Sequence, residues 1–149
     1  ISCLVGSEMC IRDRSLTILD LDNFKAINDR YGHDAGDMAL KHFAKTVKKL
    51  LRPSDLFARI GGEEFAILLP ETEPSKATQF LERILKAVVG TSLKYRDEDI
   101  ALSFSAGVTG YCDGATVDEL IKHADVALYR CKTQGRACVS LNLVTSPTT

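Results

Sequence analysis

The sequence lacks any strong excess of charge. Its 19 basic and 20 acidic residues leave a formal net charge of -1 and a pI near 6.3, so no basic field exists to hold a nucleic-acid backbone by counterion release. Long polynucleotides are therefore not expected as partners. No stretch approaches the roughly 20 consecutive apolar residues that a membrane-spanning helix needs, and no series of charged, apolar and cleavage regions marks the N-terminus. The segment is expected to be soluble and cytoplasmic, with no membrane contact of its own. The five cysteines, Cys3, Cys10, Cys112, Cys131 and Cys138, form an odd set without C-x-x-C spacing. Neither a disulfide framework nor a zinc site is indicated, and small buried or incidental thiols in a reducing compartment are expected. No internal repeat is present, and the only low-complexity segment is a Ser/Thr/Pro tail.

What the sequence does contain is the composition of one globular domain: 149 residues, 45% hydrophobic and 26% charged, suffice for a substantial core. Residues 1–14 show no helix or strand period. Within them, residues 5–14 resemble translated adapter sequence at the end of a gene fragment, so this leader is set aside as non-native or disordered. Residues 15–143 are expected to form the domain and residues 144–149 a flexible tail.

From Ser15 the pattern is regular. Residues 16–21 are a short apolar run ending in Asp20 and Asp22, which reads as a buried strand. Leu40, Phe43, Ala44, Val47 and Leu51 give residues 34–51 an amphipathic helical stripe, with Asp34 and Asp37 in its first turn. Residues 56–60 and 65–69 flank Gly61, Gly62, Glu63 and Glu64 as a hairpin would. A second stripe of Ala77, Leu81, Ile84, Leu85 and Val88 opens at Pro74 and closes at Gly90. Residues 93–95 and 102–109 read as strands. Thr116 and Glu119 form a capping box for a third helix, carrying Val117, Leu120, Ile121, Ala124, Leu128 and Cys131 and ending before Gly135. Residues 137–143 read as a last strand. Helices alternating with hairpin-connected strands predict a mixed α/β (α+β) fold with a largely antiparallel sheet.

Two segments concentrate chemistry. In DLDNFKAINDRYGHDAGD, which begins at Asp20, a carboxylate ends a buried strand. That is costly unless a cation neutralises it, and magnesium or manganese, which prefer oxygen ligands, suit it. In RIGGEEF, which begins at Arg59, two glycines let a backbone approach phosphate beside two acids. Taken singly, the first could be a strand exiting into solvent and the second an ordinary hairpin. Their joint occurrence points to two acids converging on one metal site.

These segments resemble the GGDEF diguanylate cyclases in the GGEEF form, and the upstream run matches that family's D-x-D-x-F-K-x-I-N-D-x-x-G-H-x-x-G-D pattern. Ser105 to Gly107, Ala124 to Tyr129 and Lys132 to Arg136 look like later segments of the same family. The resemblance implies a fold similar to nucleotidyl cyclases and polymerase palms, with a five-stranded, mostly antiparallel central sheet surrounded by helices. It implies condensation of two GTP into cyclic di-GMP with release of two pyrophosphates. It assigns two Mg2+ or Mn2+ ions to Asp20, the Leu21 carbonyl and Glu63, with Glu63 and Glu64 as the catalytic acids.

By the same resemblance GTP would contact Phe24, Lys25, Asn28, His33, Asp37, Gly61, Gly62, Lys132 and Arg136. Asn28 and Asp37 would read the guanine edge, while the backbone at Phe24 and Lys25 and the side chains of Lys132 and Arg136 would hold phosphates. For His33, substrate contact and loop support both stay open. Capping of a helix end is the other reading of the two basic residues. Arg52 and Asp55, as an R-x-x-D five residues before Gly61, match the family's product-inhibition site for cyclic di-GMP, with Arg83 a weaker member; a surface ion pair is the alternative. The resemblance further implies a homodimer for catalysis, an upstream sensory or regulatory domain in the full-length protein, and loss of the family's leading helix from this chain. The competing readings are a silent GGDEF domain acting as a receptor for GTP or cyclic di-GMP, and a dimerising interaction module.

Overall fold

The computed structural model describes residues 14–143; the expectations for residues 1–13 and 144–149 lie outside the described residues. The elements in chain order are β1 (Ser15–Leu21), α1 (Phe24–Tyr31), α2 (His33–Leu50), β2 (Leu56–Gly61), β3 (Glu64–Leu69), α3 (Pro74–Val89), β4 (Leu93–Tyr95), β5 (Glu98–Ile100), β6 (Phe104–Gly110), α4 (Val117–Thr133) and β7 (Val139–Leu141). Among the described residues no helix is long and apolar enough to cross a membrane.

Five strands form one sheet in the order β2-β3-β1-β6-β7, and β4 with β5 makes a separate two-stranded ribbon. The pairs β2–β3, β1–β3 and β1–β6 are antiparallel, whereas β7 joins β6 in parallel. The expected five-stranded, mostly antiparallel sheet with helices around it is the observed fold.

β1 is the central strand, and its alternation divides the core. Leu19 and Leu21 pack with Phe43 and Val47 of α2 and Leu81 and Ile84 of α3, while Ile18 packs with Ala124 and Leu128 of α4. Successive strand side chains point to opposite faces, so Asp20 shares the α4 side with Ile18. Phe43 is fully buried, with ring centroids 5.0 Å from Phe65 and 5.6 Å from Phe104. These aromatic contacts tie α2 to β3 and β6 directly behind the strand ends that carry the acids.

Local chemistry accounts for the helix ends. Pro74 occupies the first turn of α3, where a missing N–H costs nothing. The Thr116 hydroxyl accepts from the Glu119 N–H at 3.2 Å, giving the expected cap of α4. Gly32, at φ 94°, separates α1 from α2 with a single residue, a break that apolar periodicity alone did not reveal.

Three kinds of expectation need correction: strand bounds, an unforeseen strand and the thiols. β6 begins at Phe104 instead of residue 102, and β7 is confined to Val139–Leu141. β5 was not anticipated, because its Glu-Asp-Ile sequence has no alternating apolar pattern. The third concerns the thiols: Cys131 and Cys138 form a disulfide, with Cα atoms 5.6 Å apart. Seven residues separate them in sequence, and only the reversal of the chain at Gly135 (φ 109°) brings them together.

α4 approaches the sheet most closely at Gly107 of β6. A Cβ there would collide with the backbone oxygen of Ala124 and the backbone nitrogen of Leu128. Backbone atoms cannot swing aside as a flexible side chain can. Gly107→Ala should therefore destabilise the protein by about 1–3 kcal/mol, the usual range for overpacking, measurable by denaturant unfolding.

Candidate active site: a carboxylate cleft at the end of the central strand

Asp20 lies at the C-terminal end of β1, opposite Glu64 of β3 and Ser105 of β6. The β2–β3 turn is shaped by Gly62 at φ 37° and by the Arg59 guanidinium, which donates to the Gly62 carbonyl at 2.8 Å. The Leu21 N–H then donates to the Glu63 carbonyl at 3.2 Å, which docks the turn against the strand. Strand end and hairpin tip thus meet, as the two-acid reading requires. A cleft of about 480 Å3 opens there, lined by Asp20, Leu21, Phe24, Lys25, Glu63, Lys132 and Arg136 among others.

Asp20 is only 6% exposed. Its Oδ2 accepts from the Lys132 ammonium, while its Oδ1 is buried without a hydrogen-bond partner. Burial pushes the carboxyl pKa up, and the nearby Glu63 and Asp22 push it further; the hydrogen bond and charge of Lys132 only partly offset this. Glu64 is also raised, first by desolvation and then by the charges of Asp20 and Asp125. Acids so crowded, with one orphaned oxygen, suit a hard divalent cation, and the ammonium of Lys132 already supplies positive charge at the same carboxylate. Among the described residues no three His, Cys, Asp or Glu side chains close into a metal cage. The donor set that fits is smaller: the Asp20 and Glu63 carboxylates with the Leu21 carbonyl, which leaves positions for water and for substrate oxygens.

α1 starts at Phe24, and no side chain caps it; its N-cap residue Asn23 is left-handed at φ 55°. The first-turn residues Phe24, Lys25 and Ala26 line the cleft, a suitable place for an anion. Arg136 reaches Asn23 at 3.4 Å across the cleft mouth. Lys132 lies in the last turn of α4, whereas Arg136 stands beyond the helix at φ 65°.

Other predicted residues stand outside the cleft lining. The Asn28 side chain lies against Gly36, where any Cβ would displace it, and Asp37 follows Gly36 on α2. His33 is exposed on the first turn of α2 and Asp37 is exposed one turn further on, not in the first turn as expected, because the helix already starts at His33. Gly61 and Gly62 are exposed on the hairpin. Arg52 and Asp55 meet elsewhere. The Arg52 guanidinium donates to Asp55 at 3.2 Å and to the Thr72 hydroxyl at 2.7 Å, and the Arg52 N–H donates to Asp55 at 2.8 Å. Arg83 lies in a separate depression with Lys76 and Lys86.

Sequence reasoning missed the part played by Asp22. It is 7% exposed and accepts from Ser103 (2.8 Å), Ser105 (2.7 Å) and the Ala137 N–H (3.0 Å). It thereby ties β1 and β6 to the loop that carries Arg136. The D-x-D spacing was the available signal, since residues two apart share a strand face.

The family model described as diguanylate cyclase, GGDEF domain, matches residues 11–138. This chain belongs to the GGDEF family. It is 42% identical over 124 residues to the diguanylate cyclase DgcP of Pseudomonas aeruginosa, covering 83% of this chain and 18% of that protein. It is 42% identical over 129 residues to diguanylate cyclase A of Treponema denticola, covering 86% of this chain and 35% of the relative. The GGDEF chain therefore spans a minor part of the curated relatives it matches. Among solved structures, the GGDEF domain of DgcB from Caulobacter crescentus, in complex with c-di-GMP, superposes with a TM-score of 0.82 at 35% identity, over 86% of this chain and 77% of that one. The active GGEEF domain of a diguanylate cyclase from Vibrio cholerae gives 0.80 at 31% identity, over 89% and 84% of the two chains.

The environment of Asp20 predicts a stability effect. Its folded pKa is raised above the ordinary value of 3.8, so the folded state favours the protonated acid. The contribution is fully present below that value and is lost as pH rises through the raised pKa. Without divalent cations, Asp20→Asn should therefore melt higher than the parent at neutral pH, and the gap should shrink in acid. Added Mg2+ should raise the Tm of the parent only.

Proposed function

We propose that the domain is a diguanylate cyclase that joins two GTP molecules into cyclic di-GMP. The observation that carries this is the meeting of a buried, half-orphaned Asp20 carboxylate with the Glu63 turn, in a cleft also lined by an uncapped helix start and by Lys132 and Arg136. An arrangement of acids facing phosphate-binding groups suits phosphoryl transfer, in which positioning and charge stabilisation do most of the work.

Asp20, the Leu21 carbonyl and Glu63 would hold the divalent ions. When bound, such ions lower the pKa of a hydroxyl and neutralise charge on the α-phosphate and the pyrophosphate leaving group. The chain supplies the rest. The amides at Phe24 and Lys25 receive the β- and γ-phosphates, and Lys132 and Arg136 add positive charge to the same triphosphate. Glu63 would take the 3′-hydroxyl proton, with Glu64 assisting. Asn28, seated against Gly36, would offer an amide, and Asp37, the residue after Gly36 on α2, a carboxylate. Together they can accept from guanine N–H groups and donate to its carbonyl, which disfavours ATP.

One cleft accommodates one GTP in this scheme, so the reaction requires two domains with opposed clefts, at least transiently. The product's guanine edge or phosphate would engage Arg52 and Asp55 at the surface depression formed with Lys48 and Pro53. This would require the Arg52 guanidinium to exchange its present bonds to Asp55 and Thr72 for bonds to the ligand.

Incubation of the purified chain with GTP and Mg2+, with the product identified by mass, tests the reading. Cyclic di-GMP and pyrophosphate are expected from GTP but not from ATP. Glu63→Gln should lower kcat at least about a hundredfold, the order lost when a group stabilising transition-state charge is removed. Binding of GTP without turnover by the folded parent would instead indicate a receptor. For the second site, Arg52→Ala should relieve inhibition by added cyclic di-GMP while leaving the initial rate near that of the parent; unchanged inhibition rules out the site.

A further inference from the structure

The loop between α4 and β7 has a feature that its phosphate role does not require. Cys131 closes α4, fully buried, and its sulfur lies 3.5 Å from the Ala106 carbonyl. Cys138 is half-buried, and its own carbonyl accepts from the Ala106 N–H at 3.0 Å. The Cys138 end of the loop is thus hydrogen-bonded to Ala106 of β6, and the Cys131 sulfur packs against the same residue. Between them lie Lys132 and Arg136, two of the three basic residues that line the cleft. The disulfide joins the ends.

From this arrangement we infer that Cys131 and Cys138 are a reversible redox lock on the phosphate-binding loop. Gly135, Arg136 and Ala137 all have positive φ, at 109°, 65° and 49°. For Arg136 and Ala137 that region is sterically unfavourable and persists only where surrounding bonds over-determine it. Three bonds hold it here: the Arg136 N–H to the Cys131 carbonyl at 2.8 Å, the Ala137 N–H to Asp22 at 3.0 Å, and the disulfide. Of these only the disulfide can be switched chemically. It spans a short loop, so in the chain-entropy account it contributes less to global stability than a long-range bridge would. Its main effect is local, on the residues it encloses.

The chemistry needs an oxidant, and hydrogen peroxide is a sufficient one. The Cys138 sulfur, the accessible one of the pair, attacks a peroxide oxygen; the O–O bond breaks, water leaves and a sulfenic acid forms. The Cys131 sulfur then attacks the Cys138 sulfur, forming the S–S bond and releasing a second water. Two electrons pass from the thiols to the peroxide, and both thiol protons end in water. A dithiol reverses the lock by exchange through a mixed disulfide at Cys138. In the locked form Arg136 and Lys132 are held at the cleft; in the reduced form the turn can relax out of its left-handed conformation. The consequence for GTP rests on the cyclase reading, whereas the lock itself does not.

The test compares the purified full chain after hydrogen peroxide and after dithiothreitol, at matched circular dichroism. A non-reducing tryptic map should show the Cys131 and Cys138 peptides linked only in the oxidised sample. Cleavage after Arg136, inside the loop, should be slower by about tenfold when oxidised, because proteolysis tracks the open population. GTP titration with Mg2+ should show about fivefold tighter binding in the oxidised form. Cys138→Ser should behave as reduced in both conditions; should it misfold, the redox comparison on the parent stands by itself. Absence of the linked peptide after peroxide overturns the inference, as does a link that leaves both cleavage rate and GTP affinity unchanged. Loop protection in a chain that binds no GTP in either state upholds the lock and removes the cyclase reading instead.

Discussion

A negative charge at the end of a strand covered on both faces is the constraint around which the domain is arranged. Asp20 occupies β1, whose neighbours β3 and β6 pair with it along its length, and whose faces are covered by α2 and α3 on one side and α4 on the other. Solvent cannot neutralise the carboxylate there. The last turn of α4 brings Lys132 to one oxygen, and the other oxygen is left to whatever enters the cleft. A buried charge of this kind lowers the stability of the fold unless it is paired, and sites where stability is sacrificed in this way are commonly functional. The raised pKa of Glu64 has the same origin, since Asp20 is one of the charges that crowd it.

The second acid of the D-x-D run has the opposite character. Asp22 is also buried, yet all its acceptor demand is met by two serine hydroxyls and a backbone N–H. A carboxylate with several donors rigidifies what it touches. What it touches is the turn carrying Arg136. Two aspartates two residues apart therefore divide the work: one is left partly unsatisfied for a ligand, and the other fixes the wall of the cleft in which that ligand would sit. The disulfide at the ends of the same turn adds a covalent restraint to this polar one.

Much of this architecture could be read before folding was considered. The stripe of α3 and the cap at Thr116 depend on residues within a few positions of one another, and the structure contains them close to where they were expected. In α4 the expected stripe is buried only in its later part, at Ala124, Leu128 and Cys131, while Val117 and Ile121 are exposed. The hairpin from β2 to β3 was equally clear, because glycines between two apolar runs have few other uses. Other features left no local trace. β5 has too short and polar a sequence to announce a strand, and exists because it pairs with β4. Arg136 was assigned to the cleft through resemblance, but the left-handed turn it stands in is held partly by the bond from the Ala137 N–H to Asp22, 115 residues away in the chain.

By itself the sequence determined most of the elements, the family and the chemical types in the cleft, since these follow from periodicity, from turn and cap residues, and from a motif of fixed spacing. Only the tertiary structure decided which groups meet. Lys132 lies 112 residues from Asp20, and the pairing arises because α4 packs across Gly107 on the face of the sheet that Asp20 shares. The same packing, followed by a parallel return of the chain as β7, sets Cys131 against Cys138. Contacts of this kind depend on strand order and on the close approach of two backbones, and neither quantity is carried by the residues immediately beside those that touch.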